Sequence, residues 1–254
     1  MTTSISDNGL YPKICEKASV DDDLFKVFKQ IPGYRQILEH ASYEQGKLYL
    51  DCIVDDYGEE DAIEMCRDAM VNDLYGGSQP MSFYVGDEIL SITPSTLRYV
   101  KVWTDLIDNF ELSKMNVCEI GGGYGGQCLV ANELSGFSSW DIVDLKEANK
   151  LQERYISNHD IENVRFLSLE NIDEVKSEYD LVISNYAFSE CNKQIQDIYV
   201  NKIIKNSKHG YMTMNFISSE KDLYDYKSLS EHVTNIQDKD EVPNTFHSNR
   251  LFLW

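Results

Sequence analysis

The chain is 254 residues long with 42% hydrophobic residues, enough for one full α/β domain and an appendage or for one large domain with insertions. Its formal net charge of -20, from 23 Lys and Arg against 43 Asp and Glu, argues against wholesale nucleic-acid binding and against an anionic membrane surface, since both need clustered cations. Cys15, Cys52, Cys66, Cys118, Cys128 and Cys191 form no C-x-x-C pair, which leaves neither a zinc ribbon nor a thioredoxin-type motif and fits reduced thiols in a cytosolic protein.

Residues 1–10 are polar without a basic start and an apolar segment, and no run of about 18 apolar residues occurs, so a soluble cytoplasmic protein is expected. Residues 1–92 read as helices and loops, without the period of a sheet. Asp21-Asp22-Asp23 caps a short helix over 24–30, Pro32-Gly33 breaks it, and a helix resumes over 34–45 with Ile37, Leu38 and Ala41 on one face. Residues 47–54 fit a strand or a further helix; 59–73 read as helix, and Gly76-Gly77-Ser78-Gln79-Pro80 as a loop. Thr93 and Pro94 are the cap and first position of a helix that buries Leu97, Val100, Trp103, Ile107 and Phe110. Its polar side carries Arg98 and Lys101, which are either solvated or line a substrate pocket.

Val117-Cys118-Glu119-Ile120 then breaks into Gly121-Gly122-Gly123-Tyr124-Gly125-Gly126, followed by helical composition over 127–134. A strand, a tight turn and a helix in that order offer a ligand bare backbone amides and the positive end of a helix dipole. Gly121, Gly123 and Gly126 match the dinucleotide pattern G-x-G-x-x-G, while Gly121, Gly123 and Gly125 match the G-x-G-x-G of S-adenosylmethionine enzymes. Glu119 favours the second. A carboxylate ending an apolar strand needs a partner, and S-adenosylmethionine brings an ammonium group where a dinucleotide brings a pyrophosphate.

From residue 117 onward strand and helix alternate, the signature of a parallel sheet covered on both faces. A second strand over 140–145 ends at Asp144, placed to accept hydrogen bonds from a ribose; Asp141 on the same strand reads as surface. A helix over 147–158, a third strand over 164–167 and a fourth over 179–184 follow. The fourth runs into Asn185-Tyr186-Ala187-Phe188-Ser189-Glu190, at the end of the sheet where ligands bind. A helix over 193–205 turns Ile195, Ile198, Tyr199 and Ile203 to the sheet, a fifth strand covers 211–216, and two last strands over 233–237 and 249–254 suit a sheet whose final strand is antiparallel. The expected fold is α/β, a Rossmann-like seven-stranded, mostly parallel sheet with helices on both faces. Residues 1–92 would form an N-terminal helical cap or substrate region, and 93–254 the cofactor-binding domain.

Together, the segment from Val117 to Gly125, the acid Asp144 and the strand end from Asp180 to Asn185 resemble class I S-adenosylmethionine-dependent methyltransferases over residues 93–254. More narrowly, Glu119 to Gln127 with Asn185 to Glu190 is similar to sugar O-methyltransferases of bacterial capsular polysaccharide clusters, and within them to the branch associated with O-methyl phosphoramidate decoration. The resemblance implies that Gly121, Gly122, Gly123 and Gly125 pass close to the methionine moiety and that Glu119 bonds its ammonium directly or through water. Asp144 would hold the ribose, Leu145 would pack on the adenine, and Glu170 would reach the exocyclic edge where many members carry an aspartate. The implied activity is O-methylation of a small sugar, sugar nucleotide or phosphoramidate, without nucleic-acid or membrane partners.

An alcohol acceptor benefits from a base, whereas an anionic oxygen needs only a cation to hold it. His247 and Glu190 are the candidate bases, although His247 also reads as surface and Glu190 as a cap for the helix starting near Lys193. Tyr186 and Asn185 would line the methyl channel, Arg98, Lys101 and Arg250 are the candidate anion-binding cations, and Tyr11 could close over the site. His40, His159, His209 and His232 lack metal-ligand spacing, so no metal is expected. An NAD-dependent oxidoreductase and a non-catalytic Rossmann-like interaction module are the alternative readings.

Overall fold

A computed structural model describes residues 9–217 and 222–254; residues 1–8 of the polar N-terminal stretch lie outside it. The sequence predicts no sheet before residue 93, but β1 (Met81–Val85) and β2 (Glu88–Ile92) form an antiparallel hairpin. Phe83, Val85, Leu90 and Ile92 point inward and alternate with exposed Tyr84, Ile89 and Ser91, about the Gly86-Asp87 turn. Residues 47–54 belong to the Tyr43–Tyr57 helix, which starts at a capping box of Ser42 and Gln45. The predicted helix over 34–45 therefore does not form as one piece; a single turn at Pro32–Arg35 is followed by a fresh start at Tyr43. The helix Tyr11–Val20 has no counterpart in the sequence reading.

The main sheet is close to the prediction. Strands β3 (Asn116–Ile120), β4 (Ser139–Val143), β5 (Val164–Leu167), β6 (Tyr179–Asn185), β7 (Ser207–Met214), β8 (Gln237–Asp240) and β9 (Arg250–Leu253) form seven strands in the order β5-β4-β3-β6-β7-β9-β8. The pairs from β5 to β7 are parallel, and β9 runs antiparallel between β7 and β8. Nearly every residue of β3, β4 and β6 is buried, as both covered faces require. That explains the main error within the sheet. Asp141 is fully buried rather than on the surface, and its charge is met by the Arg165 guanidinium (Nε at 2.9 Å) and the Tyr179 hydroxyl at 2.6 Å.

One face of the sheet shares a single hydrophobic cluster with the N-terminal helices, in which Cys15, Phe28, Tyr34 and Ile53 join Leu97, Tyr124, Ile142 and Tyr155. A buried polar hub ties this layer to the glycine turn. The Asn72 amide donates to the Tyr124 hydroxyl and to Thr96 Oγ1, both at 2.9 Å, and the Tyr155 hydroxyl donates to the Asn72 carbonyl at 2.8 Å. Lys29 Nζ, also buried, donates to the same carbonyl at 2.8 Å and lies 4.3 Å from the Tyr124 ring centre. Burial pushes its ammonium down to about 8. No helix among the described residues is long and apolar enough to cross a membrane.

Candidate functional site

After β3 the chain fills the sheet toward β5 and then returns to β6 on the other side of β3, so a crevice opens beyond the carboxyl ends of β3 and β6. Gly121 leaves β3 at φ +78°, and a Cβ there would stand 2.1 Å from the Ala187 methyl group, so the two loops touch where only glycine fits. Gly123 follows at φ +61°, roofed by Leu38 of the N-terminal region, and the helix Gly126–Leu134 begins at once.

Two cavities meet at this crevice. The first, about 340 Å³, crosses the ends of β3 and β4 between the apolar walls Ile120, Val143, Leu145, Ile195 and Tyr199. Lys146 and Glu170, paired at 2.7 Å, lie along it with their side chains largely in solvent. The second, about 480 Å³, lies under the N-terminal region and is lined by Tyr11, His40, Tyr49, Arg98, Tyr186 and Glu190, among others. Gly121, Asp144 and Ala187 line both.

Asp144 is held by its neighbours. Oδ1 accepts the Leu145 amide at 2.7 Å, while Oδ2 accepts the Gly123 amide at 3.2 Å and the Gln152 side chain at 2.8 Å. Burial outweighs these bonds and pushes the carboxyl up to about 6. With two lone pairs per oxygen, Oδ1 keeps an acceptor position. Glu119 is placed otherwise than the sequence suggests: it sits beneath the turn, accepts the Trp140 indole N–H at 3.0 Å and lines neither cavity. Burial pushes its carboxyl up to about 7.

Glu190 ends the single turn Ala187–Glu190 and faces the second cavity, where Asn215 donates to it at 2.7 Å. Burial raises its carboxyl above the ordinary range. It does not cap the next helix, because Asn192 does so by accepting the Ile195 amide. Tyr186 adopts φ +69°, a strained conformation for an aromatic residue. Its hydroxyl donates to Glu241, whose other oxygen accepts from Thr245 at 2.8 Å and Asn249 at 3.0 Å. The loop before β9 thereby holds the end of β6.

The candidate cations separate. Arg98 lines the second cavity, with its guanidinium 5.4 Å from the Tyr99 ring centre. Lys101 is buried against Asp105 at 2.5 Å and borders only a small neighbouring cavity. Arg250 is spent on Asp238 and Asp240 across β8 and β9 and lines none of these cavities. His247 is exposed, its ring against Phe246, and is likewise absent from the walls. Gly121, Gly123, Asp144, Leu145, Glu170, Asn185, Tyr186, Glu190, Arg98 and Tyr11 are the predicted residues that border one of the two joined cavities. Sequence reasoning missed His40, Tyr49, Asn215 and Asn249, which come from segments without a readable motif. Ile195 and Tyr199 were legible as a buried stripe, which has the same spacing whether it faces a core or a cavity.

No protein-family model matches the sequence, and no curated protein matches it. Among solved structures the chain is similar to Pyrococcus horikoshii PH1948, a proposed RNA methyltransferase, at 17% identity over 75% of this chain and 95% of that one, with a TM-score of 0.48. It is also similar to the ribosomal protein L11 methylase of Lactobacillus delbrueckii subsp. bulgaricus, at 11% identity, 62% and 78% coverage and a TM-score of 0.42. PKMT2 from Rickettsia typhi, solved in complex with AdoHcy, matches at 25% identity over 41% of this chain and 21% of that one, with a TM-score of 0.33. Each of these is a likeness of fold.

Proposed function

We propose that the chain is an S-adenosylmethionine-dependent methyltransferase that methylates an oxygen of a small polar acceptor, of the sugar or phosphoramidate kind used in capsular polysaccharide biosynthesis. The observation that carries this reading is the pair of cavities joined at Gly121, Asp144 and Ala187, one with apolar walls suited to a nucleoside and one polar and roofed by the N-terminal region. Transfer between two ligands needs such a shared wall. The strand order supports it against the NAD-dependent alternative: dinucleotide-binding domains run 3-2-1-4-5-6, whereas here an antiparallel β9 is inserted before the edge strand β8.

The residues fit the cofactor. Asp144 retains an acceptor position for a ribose hydroxyl, Leu145, Ile195 and Tyr199 offer apolar surface for adenine, and the glycine turn exposes its backbone where the methionine portion would lie. When bound, the cofactor supplies a methyl group already activated by its sulfonium. The share of the chain is then mainly positional. Glu190 takes the proton of an acceptor hydroxyl, steadied by Asn215, and its raised carboxyl makes it a better base than an ordinary glutamate. Tyr186, anchored on Glu241, fixes the wall beside it, and Leu38 keeps water from Gly123.

Calorimetric titration with S-adenosylhomocysteine and with NAD tests the reading. Binding of the first, weakened in Asp144→Ala, is expected; binding of NAD alone, or of neither, would overturn it. In the active enzyme, Glu190→Gln should lower kcat by about 10²-fold or more while leaving S-adenosylhomocysteine affinity unchanged.

A further inference from the structure

We infer that the acceptor is a hydroxyl compound that also carries an anionic group, a carboxylate or a phosphate, and that Arg98 binds this anion while Glu190 faces the hydroxyl across the same cavity. The inference rests on the methyltransferase reading above and names its substrate class.

Arg98 is the only lysine or arginine among the described residues lining the larger cavity. It projects from the Pro94–Asn109 helix, is partly buried, and makes no ion pair or hydrogen bond to the described residues; its guanidinium lies 5.4 Å from the Tyr99 ring centre and within the field of the Glu39 carboxyl. The carboxylates around it are committed elsewhere. Glu241 serves Tyr186, Thr245 and Asn249. Asp105 serves Lys101 and, at 2.9 Å, the Tyr211 hydroxyl. Glu39 accepts from Ser95 at 2.8 Å, and burial raises its carboxyl, which weakens it as a counter-charge.

A guanidinium partly withdrawn from water without a hydrogen-bonded partner leaves its N–H donors for a ligand to satisfy. Its planar fork matches a carboxylate or phosphate with two parallel hydrogen bonds. The Tyr49 side chain lies on the same cavity wall and can add a donor. The overall charge of -20 makes this placement more telling, because a chain that repels anions at long range needs a dedicated cation to retain one. Asp144 and Glu190 line the same cavity, so beside these carboxyls an anion is not welcome and a neutral hydroxyl is.

The test uses the full chain saturated with S-adenosylhomocysteine and titrates glycerol 3-phosphate, D-glycerate and glycerol into the native protein, Arg98→Gln and Arg98→Lys. At least one anion should bind the native chain better than glycerol does, and Arg98→Gln should weaken that binding by about tenfold or more. Arg98→Lys should fall between, since it keeps the charge and loses the fork. Which anion binds distinguishes phosphate from carboxylate. Unchanged S-adenosylhomocysteine binding by the variants shows that they are folded. If the native chain does not bind S-adenosylhomocysteine, the methyltransferase reading falls. If it does, and neither anion exceeds glycerol or the anions bind Arg98→Gln as well as native, the anion inference is overturned.

Discussion

Replacing Gly121 by alanine probes the contact that closes the crevice. The new methyl group would stand 2.1 Å from Ala187 Cβ, at a backbone φ of +78°. Carbon atoms pack at about 3.5 Å or more, so the loops must separate, and overpacking of this kind costs about 1–3 kcal/mol. The left-handed backbone adds about 1–2 kcal/mol for a residue with a Cβ. The sum is a loss of about 2–5 kcal/mol, read as a fall in the urea midpoint at constant slope. The origin of the loss can be separated by making the same change in Ala187→Gly. There the steric part disappears, because the nearest remaining atom, Ala187 Cα, lies at an ordinary 3.6 Å. Only the backbone part should remain. The two substitutions should therefore couple favourably by about 1–3 kcal/mol. Additive effects, or a Gly121→Ala protein within about 0.5 kcal/mol of native, would refute the reasoning.

Titration of the two buried acids gives opposite readouts. The Asp144 carboxyl sits at about 6, so S-adenosylhomocysteine affinity should drop as pH falls through that value and Asp144→Asn should remove the dependence, measured by calorimetry across pH. Glu119 moves from 4.5 to about 7 on folding, so between those values the native state binds more protons than the unfolded chain and stability declines as pH rises. Glu119→Gln keeps an acceptor for Trp140 and should flatten that decline in thermal melts, leaving the variant more stable than native above pH 7. Asn72→Ala removes the amide shared by Tyr124 and Thr96 and should cost about 1–3 kcal/mol in chemical denaturation.

The strand boundaries around Gly121 and the third strand at Val164–Leu167 were legible because short, mostly apolar runs and glycine clusters are local signals. The hairpin β1–β2 carried its own signal, with Gly86-Asp87 between alternating residues, yet stretches of five residues are short against the helical text around them. Asp141 was misread because its partners Arg165 and Tyr179 are distant in sequence, and an acid looks the same on paper whether or not it is neutralised. The cations show the same division. The spacing of Lys101 and Asp105 is that of a helical ion pair and was available from the sequence. The loss of Arg250 to Asp240 depends on the register of β8 against β9, which no local pattern announces. His40 and Tyr49 reach the cavity only because the N-terminal helices fold back over the sheet, so their place there is a property of tertiary packing.

The hub of Asn72, Lys29 and Tyr155 around Tyr124 gives the glycine turn a second owner. Tyr124 is the one large side chain in that turn, and its hydroxyl and ring are held by residues that precede β3 and by the helix after β4. A ligand that orders the turn would therefore slow hydrogen exchange in amides near Asn72 and Lys29, which never touch it. Conversely, a chain shortened from its N-terminus would expose a tyrosine-rich face of the sheet layer and lose the clamp on the turn together, behaving as one cooperative unit rather than as a removable lid over an independent module.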